Sequence, residues 1–159
     1  MSLARGRPQG YAPKRATTRV RPEEGDHKGT PLLLLPTAYC LLMPLIQVKT
    51  SAPAPDKAAV EGMLQALSSK LSGHLGKSES YVMTAFEGDV PMTFGGTLDP
   101  VCFIEVKSIG SMSPSQTQAM SADFCQEIES RLGVPSKRTY IEFADAKGAM
   151  WGWNGSTFG

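Results

Sequence analysis

The dipeptide Met43-Pro44 carries the one chemically unusual prospect in this sequence. Proline is a small residue after a methionine, so a chain started at Met43 would be trimmed to a free secondary amine on Pro44. With any residue in front of it, the same nitrogen is a tertiary amide, without a proton and with its lone pair delocalised. Free, it can act as a base; locked, it cannot. The other chemistry-bearing side chains group less sharply. His27 and His74 have no partner at metal-ligand spacing, so no metal is expected. Cys40, Cys102 and Cys125 form no framework of pairs and no Cys-x-x-Cys, which reads as free thiols in a reducing compartment. Gly95-Gly96 opens no helical pattern and is a turn, not a phosphate loop. Lys77 follows a helix-ending glycine, where a lysine ordinarily completes the helix dipole in solvent. Tyr81 and Tyr140 stand at strand starts, where packing is the ordinary role, and Trp151 and Trp153 lie two apart, on one face of any strand.

The elements that must position these residues begin at Pro44. Leu45, Ile46 and Val48 make a short strand ended by Ser51-Ala52-Pro53-Ala54-Pro55. Asp56 is an N-cap, Val60, Met63, Leu64, Leu67 and Leu71 recur at helical spacing, and Gly73 and Gly76 close the helix. Tyr81 to Phe86 reads as a second strand, followed by loops at Gly88-Asp89 and Phe94-Gly95-Gly96. The pattern then repeats, with Leu45–Thr50 matching Phe103–Ser108 at an offset of 58. Ser113-Pro114-Ser115-Gln116 is a capping box with proline at the first helical position. Met120, Phe124, Ile128 and Leu132 form the stripe that follows, Gly133 ends it, and Tyr140-Ile141 opens a strand as Tyr81-Val82 does, at an offset of 59.

A duplicated β-α-β unit follows, parallel within each half by the right-handed crossover. The expected fold is α/β in the two-layer α+β sense: a four-stranded sheet with two antiparallel helices on one face. Two helices leave the other face uncovered. Cys102, Phe103, Ile104 and Val106 are read as apolar on both faces of their strand, so the open face is expected to bury itself against further copies.

Residues 1–42 differ in character. They carry seven Lys/Arg against three acidic residues, whereas residues 43–159 carry nine basic and twelve acidic ones, a mildly acidic balance without a basic patch for nucleic acid. Residues 1–30, rich in Arg, Pro, Gly and Thr, are expected to be disordered. The apolar run 32–42 is too short to span a bilayer and is interrupted by Pro36. Three readings stand for this segment: sequence translated from a misplaced start, which is favoured, a targeting segment, or a genuine tail. A cytoplasmic location is expected, with non-classical secretion and organelle targeting left open.

Met43-Pro44, Gly76-Lys77, Phe94-Gly95-Gly96, Ser108-Ile109-Gly110, Tyr140-Ile141 and Gly152-Trp153-Asn154-Gly155-Ser156-Thr157-Phe158 occur in one order and spacing. Together, over residues 43–159, they resemble the macrophage migration inhibitory factor family of the tautomerase superfamily. The resemblance implies a homotrimer with a pocket at each subunit interface. It also implies a cofactor-independent keto–enol tautomerase whose amino-terminal proline, here Pro44, is the catalytic base, with phenylpyruvate and dopachrome-like substrates. By the same resemblance Lys77 would pair with the substrate carboxylate and the Ile109 backbone would help to hold it. Tyr140 from a neighbouring subunit, Trp151 and Phe158 would wall the aromatic ring, with Trp153 packed nearby. Two departures stand out: Glu142 replaces an asparagine of the mammalian members at the pocket mouth, and Val101 and Ile104 replace their Cys-x-x-Cys. A cytokine-like binding protein, or a trimer silenced by an amide at Pro44, are the alternatives.

Overall fold

The computed structural model describes residues 43–159; the expectations for residues 1–42 lie outside them. The first strand, β1 (Pro44–Thr50), turns Pro44, Ile46, Val48 and Thr50 inward and leaves Leu45, Gln47 and Lys49 half-covered. After the proline-rich turn, Asp56 accepts the Ala59 N–H at 2.9 Å and starts helix α1 (Lys57–Leu75). Met63, Leu67 and Leu71 are its buried stripe, and Val60 and Leu64 flank it half-buried. Gly73 lies inside the helix. Gly76 ends it, at φ 63°, in the left-handed conformation that glycine adopts without a Cβ penalty. Strand β2 (Met83–Glu87) begins two residues later than expected, because Tyr81 belongs to a single 3₁₀ turn, Glu79–Tyr81.

The second unit repeats the first: β3 (Cys102–Ile109), α2 (Pro114–Leu132) and β4 (Thr139–Ala146). Ser113 forms the expected capping box, its Oγ accepting the Gln116 N–H while Gln116 Oε1 accepts the Ser113 N–H. Gly133 closes α2 at φ 66°. The sheet order is β2-β1-β3-β4, parallel within each half and antiparallel between β1 and β3. The helices run antiparallel on one face, joined along a polar seam. Glu127, almost fully buried, takes Arg131 at 3.0 Å and Lys70 at 3.2 Å, and His74 meets Asp123 at 2.6 Å.

Between the layers lie Ile46, Val48, Met63, Leu67, Leu71, Cys102, Ile104, Val106, Met120, Phe124 and Ile128, all fully buried. Each such aliphatic or aromatic side chain contributes about 1.5–3 kcal/mol on leaving water. The expectation of a strand apolar on both faces is corrected here. Cys102, Ile104 and Val106 are two apart and share the helix-facing side; of the four, Phe103 alone points to the open face. That face mixes Leu45, Phe103, Met83 and Tyr140 with Gln47, Lys49, Glu142 and the Glu105–Lys107 ion pair at 3.0 Å.

Beyond β4 the chain closes with a small hairpin, β5 (Gly152–Trp153) and β6 (Ser156–Thr157). Its two-residue loop is Asn154-Gly155, at φ 50° and 78°, the pair of left-handed residues that a type I′ turn requires. The β5 strand covers only Gly152–Trp153, so Trp151 does not share a strand with Trp153. Among the described residues no helix is long and apolar enough to cross a membrane.

Candidate active site

One rung of the sheet gathers the chemistry. Pro44 opens β1, is buried, and stands opposite Ser108 of β3, which in turn stands opposite Asp145 of β4. Lys77 reaches this rung from the end of α1. The left-handed turn at Gly76 carries the chain back toward the sheet, and the Lys77 N–H donates to Ser72 O at 3.1 Å. Ser72 Oγ donates to the Lys77 carbonyl, so one serine holds this residue's backbone from both sides. At the far end of the side chain Nζ donates to Ser108 Oγ at 2.6 Å and to the Ile109 carbonyl at 2.7 Å. Burial lowers the Lys77 pKa from the ordinary lysine value, and the negative charge of Asp145 opposes that shift.

The carboxy-terminal hairpin is anchored at the same end. The Gly110 N–H donates to Ala146 O at 3.4 Å, where the chain leaves β4. From there Trp153 stacks on Phe158 with centroids 6.3 Å apart, and Tyr81 meets the edge of Trp153 at 6.2 Å. Tyr81 lies two residues ahead of Met83, the partner of Leu45, so these three rings reach the Pro44 end of the sheet. Trp151 enters through its backbone, its carbonyl accepting the Phe158 N–H at 3.2 Å. Gly148 permits that approach: a Cβ there would meet Phe158 O at 2.7 Å.

The structure thus brings Pro44, Lys77 and Ile109 to one end of the sheet, where Phe158 joins the cluster of rings with Trp153 and Tyr81. It adds three groups that the sequence did not single out for the site: Ser108, Tyr81, read as packing alone, and Trp153, read as a neighbour of the wall. Ser108 joins the site only once β1 pairs with β3 and sets it, buried, opposite Pro44. Tyr140 and Glu142 are elsewhere. Tyr140 pairs with Phe103, five residues before Ser108, which places it roughly 17 Å along the sheet from the Pro44 rung. It is 64% exposed, packed on Phe94 at 4.9 Å, with the Arg138 guanidinium 5.2 Å from the Phe94 ring. Glu142 is exposed on the same open face, across from Glu105. Thiol chemistry finds no support in Cys102: it is fully buried, and burial, with Cys125 nearby, pushes its pKa up to about 12.

A duplicated β-α-β sheet with two antiparallel helices and a proline at the head of its first strand is the architecture of the tautomerase superfamily. A family model described as macrophage migration inhibitory factor matches residues 43–159. The homolog from Trichuris trichiura is 36% identical over 116 residues, which span 73% of this chain and 100% of that protein. The factor from Rattus norvegicus is 37% identical over 117 residues, spanning 73% of this chain and 99% of the relative. The crystal structure of the homologue from Prochlorococcus marinus is 51% identical, with a TM-score of 0.69, over 72% of this chain and 99% of that one. The chain belongs to the macrophage migration inhibitory factor family. Residues 43–159 match the family model, and the chain covers these relatives over essentially their whole length.

Proposed function

We propose that the protein is a cofactor-independent keto–enol tautomerase for small aromatic α-keto acids or enols, of the phenylpyruvate or dopachrome type. Pro44 is its general base when residues 1–43 are absent. The observation that carries this reading is the rung on which Pro44 stands opposite Ser108, where the Lys77 ammonium is held at 2.6 Å. Enolisation needs a base that is neutral at working pH and within reach of a proton α to a carbonyl. A terminal amine titrates near ~8, and burial beside a cation lowers that value. The neutral amine takes the α proton, leaving an enolate beside the protonated proline. That proton then passes to the enolate oxygen, which gives the enol and regenerates the amine, and ketonisation runs the two transfers in reverse. Lys77 holds the carboxylate, supported by the Ile109 carbonyl, while Phe158, Trp153 and Tyr81 cover the ring and Trp151 fixes Phe158.

Tyr140 and Glu142 serve a neighbouring copy in this reading. Each is presented on the open face, far from its own Pro44, so the pocket is completed in a homotrimer. A carboxylate at the mouth, Glu142, disfavours substrates with a second negative charge.

One observation favours a second reading, a pocket kept for binding without turnover: in the full 159-residue chain Pro44 is joined to Met43 and has no basic nitrogen. Amino-terminal sequencing and intact mass of the native protein establish which form exists. Phenylpyruvate enolisation by a chain beginning at Pro44 should exceed that of the full chain by about 100-fold or more, the scale of general-base catalysis. Pro44→Gly, which keeps a terminal amine but loses the ring that directs it, should be slower than the proline form. Equal rates for verified full and trimmed chains would sink the mechanism and leave the binding protein ahead.

A further inference from the structure

Four groups meet at Ser108. It is fully buried, it faces Pro44 on one side and Asp145 on the other, and its Oγ lies 2.6 Å from Lys77 Nζ and 3.4 Å from the Ile109 carbonyl. The helix-facing row it belongs to is otherwise apolar along β3: Cys102, Ile104 and Val106. A hydroxyl in such a row destabilises the fold unless it is hydrogen-bonded. Its Oγ accepts from the Lys77 ammonium and its hydroxyl donates to the Ile109 carbonyl, so the hydroxyl is satisfied as acceptor and as donor. A lysine stem has four rotatable carbons and does not hold a direction by itself. Here the ammonium has a hydroxyl and a carbonyl as acceptors on adjacent residues of one strand, and that strand is rigidly paired on both sides.

We propose that Ser108 is the positioning residue of this corner. With the Ile109 carbonyl it seats the Lys77 ammonium on the Pro44 rung, and so sets how far a substrate carboxylate lies from the carbon that exchanges its proton. The second half of this statement rests on the tautomerase reading; the seat itself does not. A fixed cation selects substrates by the separation of carboxylate and reactive carbon, where a mobile one would tolerate several.

The seat is tested on the full chain by trace acetylation with acetic anhydride, read by peptide mass spectrometry as the rate at Lys77 relative to exposed Lys137. Losing the hydroxyl should raise the Lys77 rate about threefold or more, in Ser108→Ala and in the near-isosteric Ser108→Cys, which covers the case that alanine does not fold. Unchanged relative rates in both overturn the proposal. Its consequence is tested on the chain beginning at Pro44 by titrating 3-phenylpropanoate, an aromatic carboxylate with no keto group, against tryptophan fluorescence. Ser108→Ala should weaken binding about threefold or more, and should add nothing in a Lys77→Ala background. Equal weakening in both backgrounds would show that Ser108 acts apart from Lys77 and overturn the assignment. A faster Lys77 acetylation in a protein that neither binds the carboxylate nor enolises phenylpyruvate would refute the tautomerase reading while the lysine seat stands.

Discussion

The two β-α-β halves are the same frame used twice, and their cores correspond residue by residue. Met63, Leu67 and Leu71 of α1 recur as Met120, Phe124 and Ile128 of α2, all fully buried. Both helices end on a left-handed glycine, Gly76 and Gly133. The next residue separates them: the first half has Lys77, turned onto the Pro44 rung, and the second has Val134, fully buried. The leading strand residues differ likewise, Pro44 against Cys102. Because β1 and β3 are antiparallel, these departures lie at opposite ends of the sheet. One end holds the buried Val134 and a quiet thiol between Thr50 and Thr139, and the other holds the Pro44 nitrogen, the ammonium and the Tyr81, Trp153 and Phe158 rings. Duplication supplied a scaffold; chemistry sits where the copies diverge.

Exchanging the residues that diverge is the strongest way to break this comparison. Val134→Lys asks the Val134 end to accept what the open end carries. A charge in that apolar site should lower stability by roughly 3 kcal/mol or more, measured by equilibrium urea unfolding. Wild-type stability would show that the two ends are interchangeable. A smaller effect is expected at the open end. Lys77→Ala in the chain beginning at Pro44 should raise KM for phenylpyruvate about tenfold, near 1.4 kcal/mol, with kcat little changed, because the contact persists from ground state to transition state. An unchanged KM would return Lys77 to an ordinary helix-end lysine. The pH dependence sharpens the point. Burial holds the Lys77 pKa below the ordinary 10.5, so carboxylate binding should be lost, as pH rises, at a lower pH than for a solvated lysine. Lys77→Arg, which stays charged throughout, should remove that alkaline limb. The smallest effect tests the likeness of the halves. Removing the caps with Ser113→Ala and Asp56→Ala should cost about 1 kcal/mol at Ser113 and less at Asp56, since only the first breaks a reciprocal box. Thermal unfolding would reveal the opposite ranking.

Much of the frame was legible because its signals are local. Stripes at helical spacing, Asp56 and Ser113 as caps and Gly76 and Gly133 as stops all concern neighbours in sequence, and the 58-residue offset is the same local pattern met twice. The face of β3 was misread for a local reason too: Cys102, Ile104 and Val106 share parity, so a run of apolar residues had no second apolar face beyond Phe103. The start of β2 was misplaced because a 3₁₀ turn at Tyr81 leaves no periodicity to read. Within the site, Pro44, Lys77 and Ile109 came from motifs. Ser108 carries no signal of its own until β1 pairs with β3, and Trp153 finds Tyr81 only after the chain has crossed the end of the sheet.

The separation of Tyr140 from its own Pro44 has a consequence for mixed populations of chains. In the trimer reading, each pocket takes its base and cation from one copy and its exposed tyrosine from another. A copy damaged at Tyr140 still offers an intact Pro44 corner to its neighbour, and a copy damaged at Lys77 still lends its tyrosine. Two such lesions on different chains therefore complement one another, while the same two on one chain do not. Activity then belongs to the pairing of protomers, and a defect is shared among partners instead of silencing only the chain that bears it.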